Sequence, residues 1–367
     1  MKARTRDFIY TKDDLFFATT NYIHPENRIL AFLRYIPDEN GDREKDGKTY
    51  SKVSSQEAYE YLKEKHPEYI YFCDITNVEM MGVPLNKIER IIKPEERLKE
   101  IINEKTIENK LYKDLKDLSD FFHYIGKIPY ENLGISGSIL PGLSKEGISD
   151  LDFVIYGLNN HRKAIETFKK YKDQEVTIPE INKKITLNSI QDSYWERIYN
   201  KRIKDLSLSK EEFCFYENRK NNRGIINGIL FDILSTRNWD EIHGKWGDIK
   251  YENIGKAKIE AKIKNAVAAF DNPATYEIED LKLIEMDLKE KNGFKETDDK
   301  IEINELASFT HTYAGQAIEG EEIIAKGKIE KVIEKQKNGE IKNSYRLVVG
   351  TTRESIDEYI KLKNLKL

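Results

Sequence analysis

LGISGSILPGLSKEGISDLDFVIYG, residues 133–157, is the stretch on which the fold turns. Leu133 to Ile135 read as a short strand that ends in a tight turn at Gly137-Ser138. After eleven intervening residues comes Asp150-Leu151-Asp152-Phe153, the start of a second strand. Alternate residues of a strand face the same side, so Asp150 and Asp152 project together while Leu151 and Phe153 point into a core. Two carboxylates held side by side repel unless a cation lies between them. Hard divalent ions such as Mg²⁺ prefer oxygen ligands and keep positions open for phosphate oxygens. A glycine at the strand end admits a ligand close to the backbone, where successive N–H groups and the Ser138 hydroxyl can grip phosphate.

Outward from this stretch, GILFDILSTR places Asp232 in an otherwise apolar strand. An unpaired charge there is expensive, so either Arg237 or a metal shared with Asp150 and Asp152 must offset it. Arg219, Lys220 and Arg223 cluster just before this strand, and Lys145 is the one cation in the loop between Ser138 and Asp150. Arg197, Lys201 and Arg202 could share a helix face. Groups of this kind bind a triphosphate or a nucleic-acid backbone, or form an ordinary solvated surface. Farther on, His311 and Tyr313 are either base-stacking or turn residues, and Arg353 follows a glycine where it could meet phosphate. His24, before Pro25, reads as a turn residue.

The spacing of Gly137-Ser138 from Asp-Leu-Asp-Phe, with a later apolar-Asp-apolar strand, resembles the DNA polymerase β nucleotidyltransferase superfamily. SDLDFVI is similar to the corresponding strand of CCA-adding enzymes and poly(A) polymerases. The likeness covers roughly residues 130–240, and the flanking regions look like an uncharacterised archaeal-type group of predicted nucleotidyltransferases. The resemblance implies a metal-dependent enzyme that moves an NMP from an NTP to an acceptor hydroxyl and releases pyrophosphate. It implies two Mg²⁺ or Mn²⁺ ions on Asp150, Asp152 and Asp232. Gly137 and Ser138 would then hold the β/γ-phosphates, with Lys145, Arg219, Lys220 and Arg223 as further nucleotide-binding residues. One departure is that the loop ILPGLSKEGIS is neither basic nor Thr-rich, which leaves the branch open. RNA is the favoured acceptor; a protein side chain, a small molecule, or a non-catalytic nucleotide- or RNA-binding module are the alternatives.

The expected fold class is α+β and multidomain. Residues 1–92 form an N-terminal α+β unit, with strands at Asp7–Thr20, Arg28–Ile36, Lys48–Val53 and Tyr69–Thr76. Ser54–His66 reads as a capped helix and the charged tip PDENGDREKDG as a surface loop. Residues 93–129 form a linking helix from Pro94 toward Tyr124. Residues 130–245 form the α/β nucleotidyltransferase core, with helices over His161–Tyr171 and Asp192–Lys204. Residues 246–367 carry short strands with turns at Asn292-Gly293, Gly320 and Asn338-Gly339, which predicts a small β-barrel-like unit.

The bulk numbers bound these expectations. A length of 367 residues implies more than one core. Charged residues make up 34% against roughly 25% in an average domain; they are scattered, which suggests a surface laced with ion pairs and heat adaptation. A net charge of −4 exerts no global pull on nucleic acid, so a polynucleotide would have to meet a local basic patch. Cys73 and Cys214 stand far apart in apolar surroundings and read as buried, reduced thiols. Neither an apolar leader nor a spanning segment is apparent, which predicts a cytoplasmic protein with no membrane partner.

Overall fold

The structure, a computed structural model, describes residues 2–75, 78–289, 301–336, 338–350, 355–365 and 367. Its contacts divide the chain into two units: Met1–Ser189 with Asn221–Trp246, and Ile190–Lys220 with Gly247–Leu367. Residues 1–92 therefore belong with the core in one unit, whereas residues 190–220, read from sequence as part of the core, belong to the other.

The first unit opens with a hairpin of β1 (Phe8–Thr11) and β2 (Phe16–Thr19), then β3 (Arg28–Pro37), β4 (Arg43–Lys45) and β5 (Lys48–Lys52). Helix α1 (Ser55–Lys65) begins at the Ser54 cap, where Ser54 and Glu57 each bond the other's backbone amide. β6 (Ile70–Cys73), β7 (Val78–Pro84) and β8 (Ile88–Ile92) follow. The strands pair in the order β4-β5-β3-β2-β1-β8, with β7 on β3 and β6 on β7. β7 and β8 lie in a stretch for which the sequence suggested no strand.

Pro94 starts α2 (Pro94–Ile102), but the long linking helix is broken before α3 (Lys110–Asp120). The interruption, NEKTIEN, begins and ends in asparagine. Asn103 turns its side chain back to the Lys99 carbonyl, and Asn109 caps the new helix by accepting from the Tyr112 amide. Local side-chain bonds of this kind compete with helix continuation. Leu98, Ile101, Leu111, Leu115 and Leu118 still face the core, as their spacing predicts.

The central sheet follows: β9 (Leu133–Ile135), β10 (Leu151–Tyr156), α4 (Leu158–Tyr171), β11 (Gln174–Ile178) and β12 (Lys183–Asn188). The chain then forms α5 (Asp192–Arg202) and α6 (Lys210–Lys220) of the second unit before returning as β13 (Arg223–Ile226) and β14 (Ile229–Thr236). Strand order is β11-β12-β13-β14-β10-β9. GIINGILFDILS, which reads as a core strand entered through a glycine-flanked turn, is a hairpin of two paired strands. Asn227 and Gly228 both have positive φ (49° and 86°), the turn that suits a two-residue hairpin. Leu151, Phe153 and Ile155 of β10, with Phe231 and Ile233 of β14, enter one core with α2, α3 and α4.

In the second unit, β15 (Ile249–Asn265), β16 (Ala274–Leu288), β17 (Ile303–Ser308), β18 (Glu322–Lys335), β19 (Ile341–Val349) and β20 (Tyr359–Leu362) form one sheet. Pairing runs β15-β16-β17-β19-β18, and β18 also pairs β15, so the sheet closes on itself. The apolar residues of KAKIEAKIKNAV supply its interior: Ala257, Ile259, Ala261 and Ile263 are all buried. Helix α6 is tied to this unit by its Tyr216 hydroxyl, which accepts from the Leu362 amide at 2.7 Å, and by Glu212, which pairs with Lys361 at 2.9 Å. Among the described residues no helix is long and apolar enough to cross a membrane. The turn expected at Asn292-Gly293 and the contact expected of Arg353 fall outside the described residues.

Candidate functional site

β10 and β14 run parallel with Asp152 opposite Asp232. Partnered residues in a sheet share a face. That face is the one turned away from the helical core, because Leu151, Phe153, Phe231 and Ile233 fill the other. β9 lies antiparallel on the other side of β10, and the Ser136 amide donates to the Asp152 carbonyl at 2.9 Å. The turn at Gly137 is thereby set beside Asp152. Gly137 has φ +61°, and a Cβ on it would stand 1.9 Å from Asp152 Oδ2. Glycine is required twice over, for the left-handed backbone and for the carboxylate's room. Gly137→Ala is expected to displace the Asp152 carboxylate and to cost roughly 1–2 kcal/mol from the backbone alone. A melting temperature equal to wild type would show that the turn relaxes freely.

A cleft of about 220 Å³ opens at this turn. One wall carries Gly137, Ser138, Ile148, Ser149, Asp150 and Asp152. Ser149 holds the loop together: its Oγ accepts from Ser138 Oγ at 3.0 Å and from the Lys145 amide at 2.8 Å. The opposite wall comes from the N-terminal sheet and carries Phe8, Arg34, Tyr35, Arg43 and Lys52. Phe8, Phe16, Tyr35 and Tyr50 of that sheet form an apolar cluster with Leu140 and Leu143 of the loop. Arg43 Nη1 donates to the Leu143 carbonyl at 3.2 Å and to Ser149 Oγ at 3.3 Å. The tip that read as a plain surface loop thus places a guanidinium at the site.

The walls are electrostatically opposed. Burial, then the charges of Asp150 and Asp232, push the Asp152 carboxyl up to about 7, against the pull of Arg6 and Lys52. The Lys52 ammonium is shifted down by desolvation first and by its neighbours Arg34 and Arg43, while Asp150 and Asp152 oppose the shift. Tyr35, buried between them, is shifted up, chiefly by desolvation.

The remaining expected site residues are distributed unevenly. Asp232 is only 8% exposed and does not line the cleft. Its ion-pair partner is Arg223, not Arg237: Arg223 Nη2 donates to Asp232 Oδ2 at 3.1 Å, and Nε pairs with Oδ1. The hairpin register sets Arg223 opposite Asp232, whereas Arg237 Nη1 donates to the Glu241 carbonyl. Lys145 is half-exposed, 3.8 Å from Asp42, and is not part of the cleft lining. Arg219 and Lys220 are engaged inside the second unit. Arg219 pairs with Glu321 at 2.5 Å; Lys220, buried, pairs with Glu217 at 2.5 Å and donates to the Thr312 carbonyl at 2.7 Å. Of the lesser candidates, Arg202 pairs with Glu217 at 3.4 Å. Tyr313 is fully buried and donates to the Glu358 carbonyl, so it offers no stacking face. His24 Nδ1 accepts from the Leu30 amide within its turn. Cys73 is buried as expected, whereas Cys214 is partly exposed; both are free.

Among the described residues, the acid-and-histidine group whose ligand atoms all fall within 4.8 Å of one another is Asp13, His66 and Glu68; Asp150, Asp152 and Asp232 do not close that far. In the first group Lys87 already serves as the cation, 3.1 Å from Asp13 and 2.9 Å from Glu68. In the second, Arg223 holds Asp232.

No protein-family model matches the chain, and no solved structure does. The chain is 44% identical over 373 aligned positions to the uncharacterised protein MJ1086 of Methanocaldococcus jannaschii, covering 99% of this chain and all of the relative. It belongs to the same family as that protein.

Proposed function

We propose that the protein is a metal-dependent nucleotidyltransferase of the polymerase β type, transferring an NMP from an NTP to an acceptor hydroxyl. The observation that carries this reading is the register. Asp152 and Asp232 are direct partners on neighbouring parallel strands, Asp150 lies two residues before Asp152, and a glycine-serine turn closes against Asp152. Three oxygen donors that repel one another are the set a hard divalent ion satisfies, and the upward shift of Asp152, set first by burial, also carries the charges of Asp150 and Asp232. Asp150, Asp152 and Asp232 would hold Mg²⁺ or Mn²⁺. Bound there, the ions would polarise the α-phosphate and neutralise the charge developing on it.

The chain's own groups do the positioning. The Gly137-Ser138 backbone and hydroxyl orient the phosphate chain. The acceptor oxygen bonds to the α-phosphorus, the bond to the bridging oxygen of the β-phosphate breaks, and pyrophosphate leaves with its electron pair. Asp232, once released by Arg223, would take the hydroxyl proton. With residues 1–92 forming a cleft wall, the closed β-sheet unit is left to serve the acceptor, which favours a macromolecule, RNA first.

Labelled ATP or CTP, Mg²⁺ and bulk tRNA test the proposal. Label is expected on RNA, and Asp150→Ala is expected to reduce it to background. Tight RNA binding with no transfer under any divalent metal would instead indicate a binding module. A mass shift on a partner protein would move the acceptor from RNA to protein.

A further inference from the structure

We infer that the N-terminal sheet is the phosphate-chain receptor of the cleft, with Arg34, Arg43 and Lys52 taking the non-transferred phosphates of a metal-complexed triphosphate. The inference rests on the nucleotidyl-transfer reading of the acidic wall and assigns the substrate-binding role to residues far from the polymerase-like stretch.

Three observations carry it. First, the cations are in place without sufficient partners. Neither Arg34 nor Lys52 makes a side-chain hydrogen bond or an ion pair among the described residues, although both line the cleft. The Arg43 side chain is only 10% exposed. Both of its hydrogen bonds leave from Nη1, while its Nε is buried without one, 3.5 Å from Asp42 Oδ1. Like charges crowded on one wall cost free energy until an anion joins them.

Second, the two walls together select a particular kind of anion. Asp150 and Asp152 face the cations across the cleft and would repel a bare phosphate. A polyphosphate carrying a divalent ion presents positive charge to the acids and negative oxygens to the bases. A polynucleotide backbone, with one charge per phosphate, chelates such an ion far less well.

Third, the space is limited. At about 220 Å³ the cleft is below the roughly 300–1,000 Å³ that encloses a whole drug-sized ligand. It suits the phosphate chain of a nucleotide and leaves the base outside. Selection here is by phosphate number.

Calorimetric titration of the full chain with inorganic tripolyphosphate and Mg²⁺ tests this. Wild type is expected to bind, and orthophosphate to bind far more weakly. Arg34→Gln and Lys52→Gln are each expected to weaken tripolyphosphate binding roughly tenfold, and the double variant about a hundredfold. Arg34→Lys is expected to recover most of the loss at that position. Should the double variant melt abnormally, the single variants decide the matter, Lys52→Gln first because that residue is exposed. Unchanged tripolyphosphate affinity in the variants, or no binding by wild type, overturns the inference. So does a variant that loses RNA affinity while keeping tripolyphosphate, because the wall would then belong to a polynucleotide. If the variants keep their affinity while Asp150→Ala still abolishes transfer, only the receptor assignment fails. If the variants lose tripolyphosphate but wild type transfers to no acceptor, it is the nucleotidyl-transfer reading that fails.

Discussion

Asp152→Asn is expected to lower nucleotidyl transfer by roughly a thousandfold and, in EDTA at pH 8, to raise the melting temperature by a few degrees. The first effect follows from the proposed reading, in which Asp152 is one oxygen anion of a site whose ion would supply several kcal/mol of charge stabilisation. The second follows from the cost of holding Asp152 ionised. Its folded pKa, about 7, lies above the ordinary 3.8. Between those values the folded protein keeps a proton that the unfolded chain has released, so this residue makes stability fall as pH rises toward 7. Above 7 the full cost persists, and below about 4 it vanishes because both states are protonated. Asparagine has the same shape and carries no charge. The gain in melting temperature should therefore be present at pH 8, shrink between pH 7 and pH 4, and disappear near pH 4. A melting curve in EDTA at three pH values measures it. A variant no more stable than wild type at pH 8 would mean that neither burial nor the charges of Asp150 and Asp232 penalise the ionised Asp152. Stability sacrificed at a site that needs charge is the usual relation between active-site strain and function.

The acidic wall of the cleft was legible in the sequence and the basic wall was not, for a physical reason. Asp150, Asp152, Gly137 and Ser138 lie within one short stretch, where strand alternation and glycine chemistry suffice to bring them together. Asp232 was visible because a charge in an apolar strand needs an explanation. The same logic applies to Arg34 in ILAFLRYIP, an apolar strand with one buried neighbour on each side of the arginine; that was the available signal. Arg43 and Lys52 offered none. Their place on the cleft depends on the loop residues Leu140 and Leu143 meeting the aromatic cluster of a sheet about a hundred positions earlier, a contact that no local period encodes. Arg219 and Lys220 precede β13 and β14 in sequence, but Glu321, Glu217 and Thr312, with which they pair or bond, all belong to the second unit. The register of the Asn227-Gly228 hairpin sets Arg223 beside Asp232, and α6, which carries the other two, belongs to the second unit. The broken linking helix has a similar origin: apolar spacing continues across residues 103–109, while the asparagines that stop the helix act through single side-chain bonds.

Arg223→Ala is expected to destabilise the metal-free protein by about 3–5 kcal/mol, the cost of leaving one member of a buried ion pair behind. Asp232 is 8% exposed and acts on the already crowded Asp152, so few positions tolerate an added net negative charge less. The useful measurement is the response to a divalent ion. On the proposed reading, Mg²⁺ in wild type would compete with the Arg223 guanidinium for Asp232, and part of its binding energy would go into displacing that partner. In the alanine variant the carboxylate is already open to the ion. The rise in melting temperature from EDTA to millimolar Mg²⁺ should therefore be larger in the variant than in wild type, even though the variant starts lower. Arg223→Lys should fall between the two, because an ammonium keeps the charge and loses the two-nitrogen contact. Equal Mg²⁺ shifts in all three proteins would remove Asp232 from the metal-binding set and leave Asp150 and Asp152 as a two-carboxylate site. A larger shift in Arg223→Ala would identify the arginine as the group that neutralises Asp232 until the ion arrives, and it would explain why three carboxylates that share one face stay more than 4.8 Å from mutual contact without it.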